Sequence, residues 1–360
     1  MHLTTLLNIS LPLIQAPMAG VQNSALALEV CRAGGLGSVP CAMLSPEALR
    51  SELEIMRDSA AGPWNVNFFC HTSPQQDEQR EAAWRHSLAP YYEELGLDVN
   101  DIKAGGGRRP FDAESLEILR EFRPPVVSFH FGLPTPELLS QVKSWGAKVM
   151  SSATTVAEAR WLEAKGADVI IAQGLEAGGH RGMFLTDDIS TQIGTFALLP
   201  QIAKAVRLPV VAAGGIADAT GVAAALALGA AGVQIGTAYL LCPESTTSAV
   251  HRAALQSDAV EHTVLTNVFS GRPARGMVNR IIREIGPFSS DAPAFPLAGT
   301  AVTPLRSAAE KQGTGDFSPL WSGQNARGCK TIPAYELTLE LARPMRSPGT
   351  DSGYIRPAIG

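Results

Sequence analysis

PVVAAGGIADATGVAAALALGAAGVQIGT, residues 209–237, holds two strand-like runs on either side of one helical stretch. Val210 to Ala213 are apolar at every position, as in a strand buried on both faces of a parallel sheet. Gly214 and Gly215 break that run, and Asp218 stands just before the alanine-rich helical stretch, where a cap belongs. A second apolar run follows and ends on Gly236 and Thr237. Strand, glycine turn, helix and strand make a βαβ unit, whose two strands run parallel.

The same unit recurs upstream. Strands are predicted at 11–18, 36–40, 64–69, 125–131, 147–153 and 168–174, in addition to 209–215 and 232–237. Helical stretches such as SALALEVCRAG, TPELLSQVKSWG and TVAEARWLEAKG lie between them, several ending in the Gly that stops a helix. Eight such units in about 240 residues match a closed (β/α)8, or TIM, barrel. A doubly wound open sheet is the alternative, but it gives less reason for polar or glycine signals after nearly every strand. The barrel is therefore expected over residues 1–245, with a helical insertion at about 71–124 after the third strand. Within the insertion AGGGRRP, 104–110, reads as a lid or as a plain exposed loop. The repeat stops near residue 245, and 246–360 are expected to cap the barrel mouth and return the chain.

Composition narrows the function. The 360 residues carry a formal charge of −5 with no basic tract, which disfavours nucleic acid and anionic membranes as partners. Five cysteines, odd in number and without a CxxC, argue against a disulfide framework or zinc site and fit a reducing cytoplasm. The N-terminal stretch has no basic region or cleavage site of a signal peptide. Cys70 beside His71 suggests a nucleophile pair, but neighbours on a strand point to opposite faces.

In such a barrel the chemistry lies at the C-terminal ends of the strands. There the chain delivers Met18 and Ala19, Asn67, His130 from VVSFHFG, Gln173, the loop Gly178-Gly179-His180-Arg181, Gly214-Gly215, and Gln234-Ile235-Gly236-Thr237. Glycines let a ligand approach the backbone, helix starts attract anions, and the last two loops of such barrels bind phosphate. No acidic pair or metal-spaced cluster appears, nor a Walker loop, GxSxG elbow or GxGxxG after a strand. A phosphate site, amide side chains and two histidines remain. They suit a flavin, or else a phosphorylated sugar or imidazole metabolite.

QAPMAG at 15–20, VNFF at 66–69, SFHFG at 128–132, AQGLEAGGHRG at 172–182, AAGGIAD at 212–218 and VQIGT at 233–237 resemble, in order and spacing, the FMN-dependent nitronate monooxygenases. The stretch 70–98 and WSGQ at 321–324 resemble the bacterial class I members. The resemblance implies that FMN is held by Asn67, Gln173, Gly178, Gly214, Gly215 and Gln234, Ile235, Gly236 and Thr237, with Met18 and Ala19 near its ring. It implies catalytic roles for His130 and for His180, which contacts the ligands or anchors its loop. The reaction implied is oxidation of alkyl nitronates, propionate 3-nitronate among them, by O2 to a carbonyl compound and nitrite. With a neutral nitroalkane His130 would remove the α-proton. Arg181 reads as a contact to an anion or as a solvated loop residue, and Trp321 and Gln324 as pocket closure or packing. Related barrels share these signatures, so an NAD(P)H-dependent quinone or enoyl-thioester reductase is the competing enzyme, and a non-catalytic phosphate sensor the competing binding protein.

Overall fold

The structure is a computed structural model that describes residues 2–102 and 108–345. Its strands are β1 (Leu13–Gln15), β2 (Gly37–Pro40), β3 (Trp64–Phe69), β4 (Val126–His130), β5 (Lys148–Ala153), β6 (Val169–Gln173), β7 (Gly179–His180), β8 (Val210–Ala213), β9 (Gly232–Ile235), β10 (Thr263–Thr266) and β11 (Ala274–Met277). Eight of them form one parallel sheet in the order β1-β9-β8-β6-β5-β4-β3-β2. The Leu36 N–H donates to the Leu13 carbonyl at 2.9 Å and the Gln15 N–H to the Leu36 carbonyl at 3.0 Å, which joins the two ends of the sheet into a barrel.

Alternation along each strand divides the apolar residues between two cores. Val169, Ile171 and Val211 point into the barrel, where the N-terminal helix Leu3–Leu7 adds Leu3 and Leu7 to the same cluster. Ile170, Ala172, Val210 and Ala212 point outward against the helices, with Leu198, Leu199 and Ile202. Some approaches are close enough to demand glycine. A Cβ on Gly37 would lie 2.0 Å from the Ala27 carbonyl oxygen of helix Ser24–Arg32, and one on Gly232 would lie 2.5 Å from Leu3.

Helix Glu78–Glu94 leaves the ring and packs on helix Ala298–Lys311. There the Trp84 indole donates to the Ala298 carbonyl at 3.1 Å, and the Tyr92 hydroxyl to that of Ala301 at 2.6 Å. Helix Ala113–Phe122 instead sits in the ring beside Pro46–Ser59 and Pro136–Ser144. The last ring position belongs to Ala334–Leu341, which packs on Ser24–Arg32 and Ala219–Ala227 after the chain returns. Among the described residues, no helix is long and apolar enough to cross a membrane.

The sequence reading expected helical segments after residue 245, but that region also contributes two strands. β10 pairs antiparallel with β11, and β11 with β7 in the loop after β6, in the register Ala274↔His180. This second sheet fastens the late part of the chain to the rim of the barrel.

Candidate active site

One cavity of about 190 Å³ opens at the C-terminal ends of the strands. Met18, Ala19, Asn67, His130, Gln173, Gly178, His180, Gly214, Gly215, Gln234, Gly236 and Thr237 all line it. Ile235 does not: its side chain lies in the outer core, because alternation sends the residue after the inward Gln234 to the other face.

The first loop is held by amides. Gln22 accepts the Met18 N–H at 2.9 Å and donates to the Ser38 carbonyl at 2.6 Å, while Gln15 accepts the Ser38 N–H at 3.0 Å. These bonds fix Met18 against the barrel mouth. At the far side Gly214 and Gly215 have φ of 113° and 72°, a backbone only glycine adopts freely. Among the described residues, the N–H groups of Gly215, Gly236 and Thr237 have no acceptor within the chain. The Gln234 Oε1 is likewise buried and unpartnered among the described residues. Unpaired donors and a buried acceptor at one rim are what a polar ligand would satisfy.

His130 is fixed at both ring nitrogens. Nε2 lies 3.2 Å from the His180 carbonyl, and Nδ1 3.0 Å from the Ser152 hydroxyl. A carbonyl can only accept, so Nε2 carries the proton and Nδ1 accepts from Ser152. Burial pushes the His130 pKa down to about 4; the bond to His180 opposes this, and Arg272 and Arg181 reinforce it. His180 is held well below the usual imidazole range, first by burial and then by Arg108, and its Nε2 lies 2.9 Å from the Ser270 hydroxyl. Its carbonyl also accepts from the Gln173 amide at 3.0 Å, and the Gln173 Oε1 accepts the Gly182 N–H at 2.7 Å. Gln173 thus binds the 180–182 loop to β6. The Asn67 amide donates to the Ser128 hydroxyl at 3.0 Å.

Arg181 has neither of the roles expected of it. It is fully buried, with Nη1 on the Gly174 carbonyl at 2.7 Å, Nη2 on that of Gln173 at 2.7 Å and Nε on Gln192 at 3.0 Å. Its guanidinium braces the backbone behind the cavity. Trp321 lines the cavity, whereas Gln324 is exposed. Of AGGGRRP, residues 104–107 lie outside the described residues; Arg108 lines the cavity with its guanidinium 5.7 Å from the Phe295 ring centre.

Ser128, Ser152, Arg108, His251 and Asn325 line the cavity as well, and sequence reasoning missed them. Ser152 was within reach, since Ser151-Ser152 ends the fifth strand as a polar pair after an apolar run. Arg108 and Asn325 sit in loops and His251 on the short helix Ala249–Leu255, where no comparable signal marks the barrel mouth. Among the described lining residues Arg108 is the only Lys or Arg, and no Asp or Glu accompanies it.

A rim of glycine turns, amides and neutral histidines on a barrel agrees with what comparison finds. A family model described as nitronate monooxygenase matches residues 1–343. A nitronate monooxygenase of Paraburkholderia phytofirmans is 41% identical over 349 residues, 96% of this chain and 94% of the relative. One from Pseudomonas aeruginosa is 42% identical over 346 residues, 95% and 98% of the two chains. The crystal structure of nitroalkane oxidase from Streptomyces ansochromogenes superposes with a TM-score of 0.86 at 39% identity, covering 95% of this chain and 97% of the other. FabK from Thermotoga maritima is more distant, at a TM-score of 0.70 and 27% identity over 95% and 94%. Family match, near full-length identity and shared barrel agree, and the chain belongs to the nitronate monooxygenase family of flavin-dependent oxidoreductases.

Proposed function

We propose that the flavin is FMN and that the cavity oxidises alkyl nitronates, propionate 3-nitronate among them, with O2 to a carbonyl compound and nitrite. The residues fit that cofactor. The unpaired N–H groups of Gly215, Gly236 and Thr237 suit its phosphate, and the orphaned Gln234 Oε1 suits a donor on the ligand. Met18, Ala19, Asn67, Gly178 and Gly214 complete the seat. When bound, FMN supplies the electron transfer, and the protein supplies orientation and exclusion of water. The stretch after residue 245 serves as the cap, bringing His251, Trp321 and Asn325 over the mouth.

The observation that carries the choice of substrate is the state of His130. A ring with a pKa near 4 and both nitrogens engaged is a poor base for the α-carbon of a neutral nitroalkane. A nitronate has already lost that proton. It needs donors for its anionic oxygens, in a cavity whose described lining contains no carboxylate to repel it. His130 and His180 therefore act as neutral, positioned groups, not as cations. Five unpaired cysteines fit a cytoplasmic setting.

The test is a visible spectrum followed by oxygen uptake with propionate 3-nitronate and with its parent nitroalkane. Flavin absorbance, fast uptake with the nitronate and slow uptake with the nitroalkane are expected. Anaerobic bleaching by NADH or NADPH but not by a nitronate would instead make it a reductase. A colourless protein that takes up no FMN would make it a ligand sensor. An H130N variant with full turnover on both substrates would remove His130 from the site.

A further inference from the structure

Beside the main cavity lies a side chamber of about 50 Å³. The two share Ala19, Val21, Arg108, His251 and Trp321 as common walls. The chamber adds Ser248, Arg306 and Glu310. Its one carboxylate is already engaged, since Glu310 is paired with the Arg306 Nε at 2.8 Å and accepts the Ser318 hydroxyl at 2.7 Å. Among the described residues no carboxylate is paired with Arg108, whose charged form is disfavoured by burial and by Arg306, and its Nε is buried without an acceptor. A largely buried guanidinium without a counter-ion is an unfavourable arrangement unless an anion arrives to pair with it. The planar fork of arginine suits a carboxylate in particular.

Resting on the nitronate reading, we propose that this chamber is a carboxylate subsite and that Arg108 is the residue that selects nitronates bearing a carboxylate at the end remote from the nitro group. The reacting end occupies the main cavity beside His130, and the remote carboxylate passes between Trp321 and His251 to the Arg108 guanidinium. Arg306, whose Nε donates to Glu310, adds a second positive charge to the chamber wall. The chamber is small, so it accommodates the anionic group and little more of the chain.

The experiment compares propionate 3-nitronate with propyl-1-nitronate, which carries a methyl in place of the carboxylate. The readout is the ratio of their kcat/KM values in wild type, Arg108→Met and Arg108→Lys. Wild type is expected to favour the carboxylated substrate by about 10- to 100-fold, the range for one charge-assisted pair. Arg108→Met should bring that ratio to about 1, mainly through KM for propionate 3-nitronate, and Arg108→Lys should fall between. Should Arg108→Met not fold, Arg108→Gln takes its place. A wild-type ratio near unity, or a ratio unchanged in the variant, overturns the subsite and leaves the enzymatic reading standing. Failure of wild type to oxidise either nitronate overturns both.

Discussion

Lowering the pH from 7 to 5 should destabilise this protein through its buried histidines, before its carboxylates titrate. His130 and His251 are both pushed down to about 4, chiefly by burial, against an ordinary value of 6.5. The unfolded chain binds more protons than the folded one between those values. Stability therefore falls as pH drops through 6.5, and goes on falling to about 4. At pH 5 each ring carries roughly 0.9 proton more in the unfolded state, which amounts to about 2 kcal/mol lost per ring relative to neutral pH. The two together remove about 4 kcal/mol, a large part of the stability of an ordinary domain. His71, also lowered to about 4 by burial, acts in the same direction. Carboxylates with lowered values, such as Glu94, Glu284 and Glu310, respond only below this window. The assay is urea unfolding of the flavin-loaded protein from pH 7 to 5 at fixed free flavin. His251 donates from Nε2 to the Trp321 carbonyl at 3.1 Å, a bond a glutamine amide can replace, so His251→Gln should recover about 2 kcal/mol of the pH dependence. A flat unfolding free energy between pH 7 and 5, or an unchanged slope in His251→Gln, would refute the argument that these rings are buried neutral.

Two further substitutions probe the frame of the site. Arg181→Met takes the donor from two buried acceptors, the Gln173 carbonyl and the Gln192 side chain, and leaves the Gly174 carbonyl only its bond from the Ala177 N–H. A loss of about 3 kcal/mol is expected, seen as a Tm lower by about 4 °C for a chain of this length; an unchanged Tm in a thermal melt would show that the guanidinium is not the brace described. Gly178→Ala would put a Cβ 2.5 Å from the Gly323 nitrogen and 2.7 Å from the Ser322 carbonyl carbon, both backbone atoms that cannot turn aside. The 321–325 segment must shift, at about 1–3 kcal/mol, and flavin retention on gel filtration should fall with it; full retention and full activity would contradict that geometry.

The barrel was legible because its signal is local. A strand buried on both faces is apolar at nearly every position, as in β6 and β8, and β3, β4 and β9 keep enough apolar residues before their polar or glycine ends to be located from the chain alone. For the same reason the rim residues Asn67, His130, Gln173, Gly214 and Gln234 stood out, and they do line one cavity. Ile235 was carried along with its neighbours from a family motif. The period of two would have separated it from Gln234.

What the tertiary structure alone decided concerns partners far apart in the chain. The four-residue runs TVLT and ARGM are too short and mixed to announce β10 and β11; the two pair with each other at all four positions, and what fixes them to the barrel is the pairing of β11 with β7 across nearly a hundred residues. Arg181 looks like any loop arginine until the carbonyls that surround it are seen. His130 could be placed at the rim, but its protonation state depends on Ser152 and on the His180 carbonyl, which come from two other strands. Arg108 reaches the cavity from a loop, and His251 from the short helix Ala249–Leu255, and neither segment shows in its sequence that it faces the barrel mouth. Local patterning encodes which face of an element is buried, whereas the neighbours of a polar side chain depend on the path of the whole backbone.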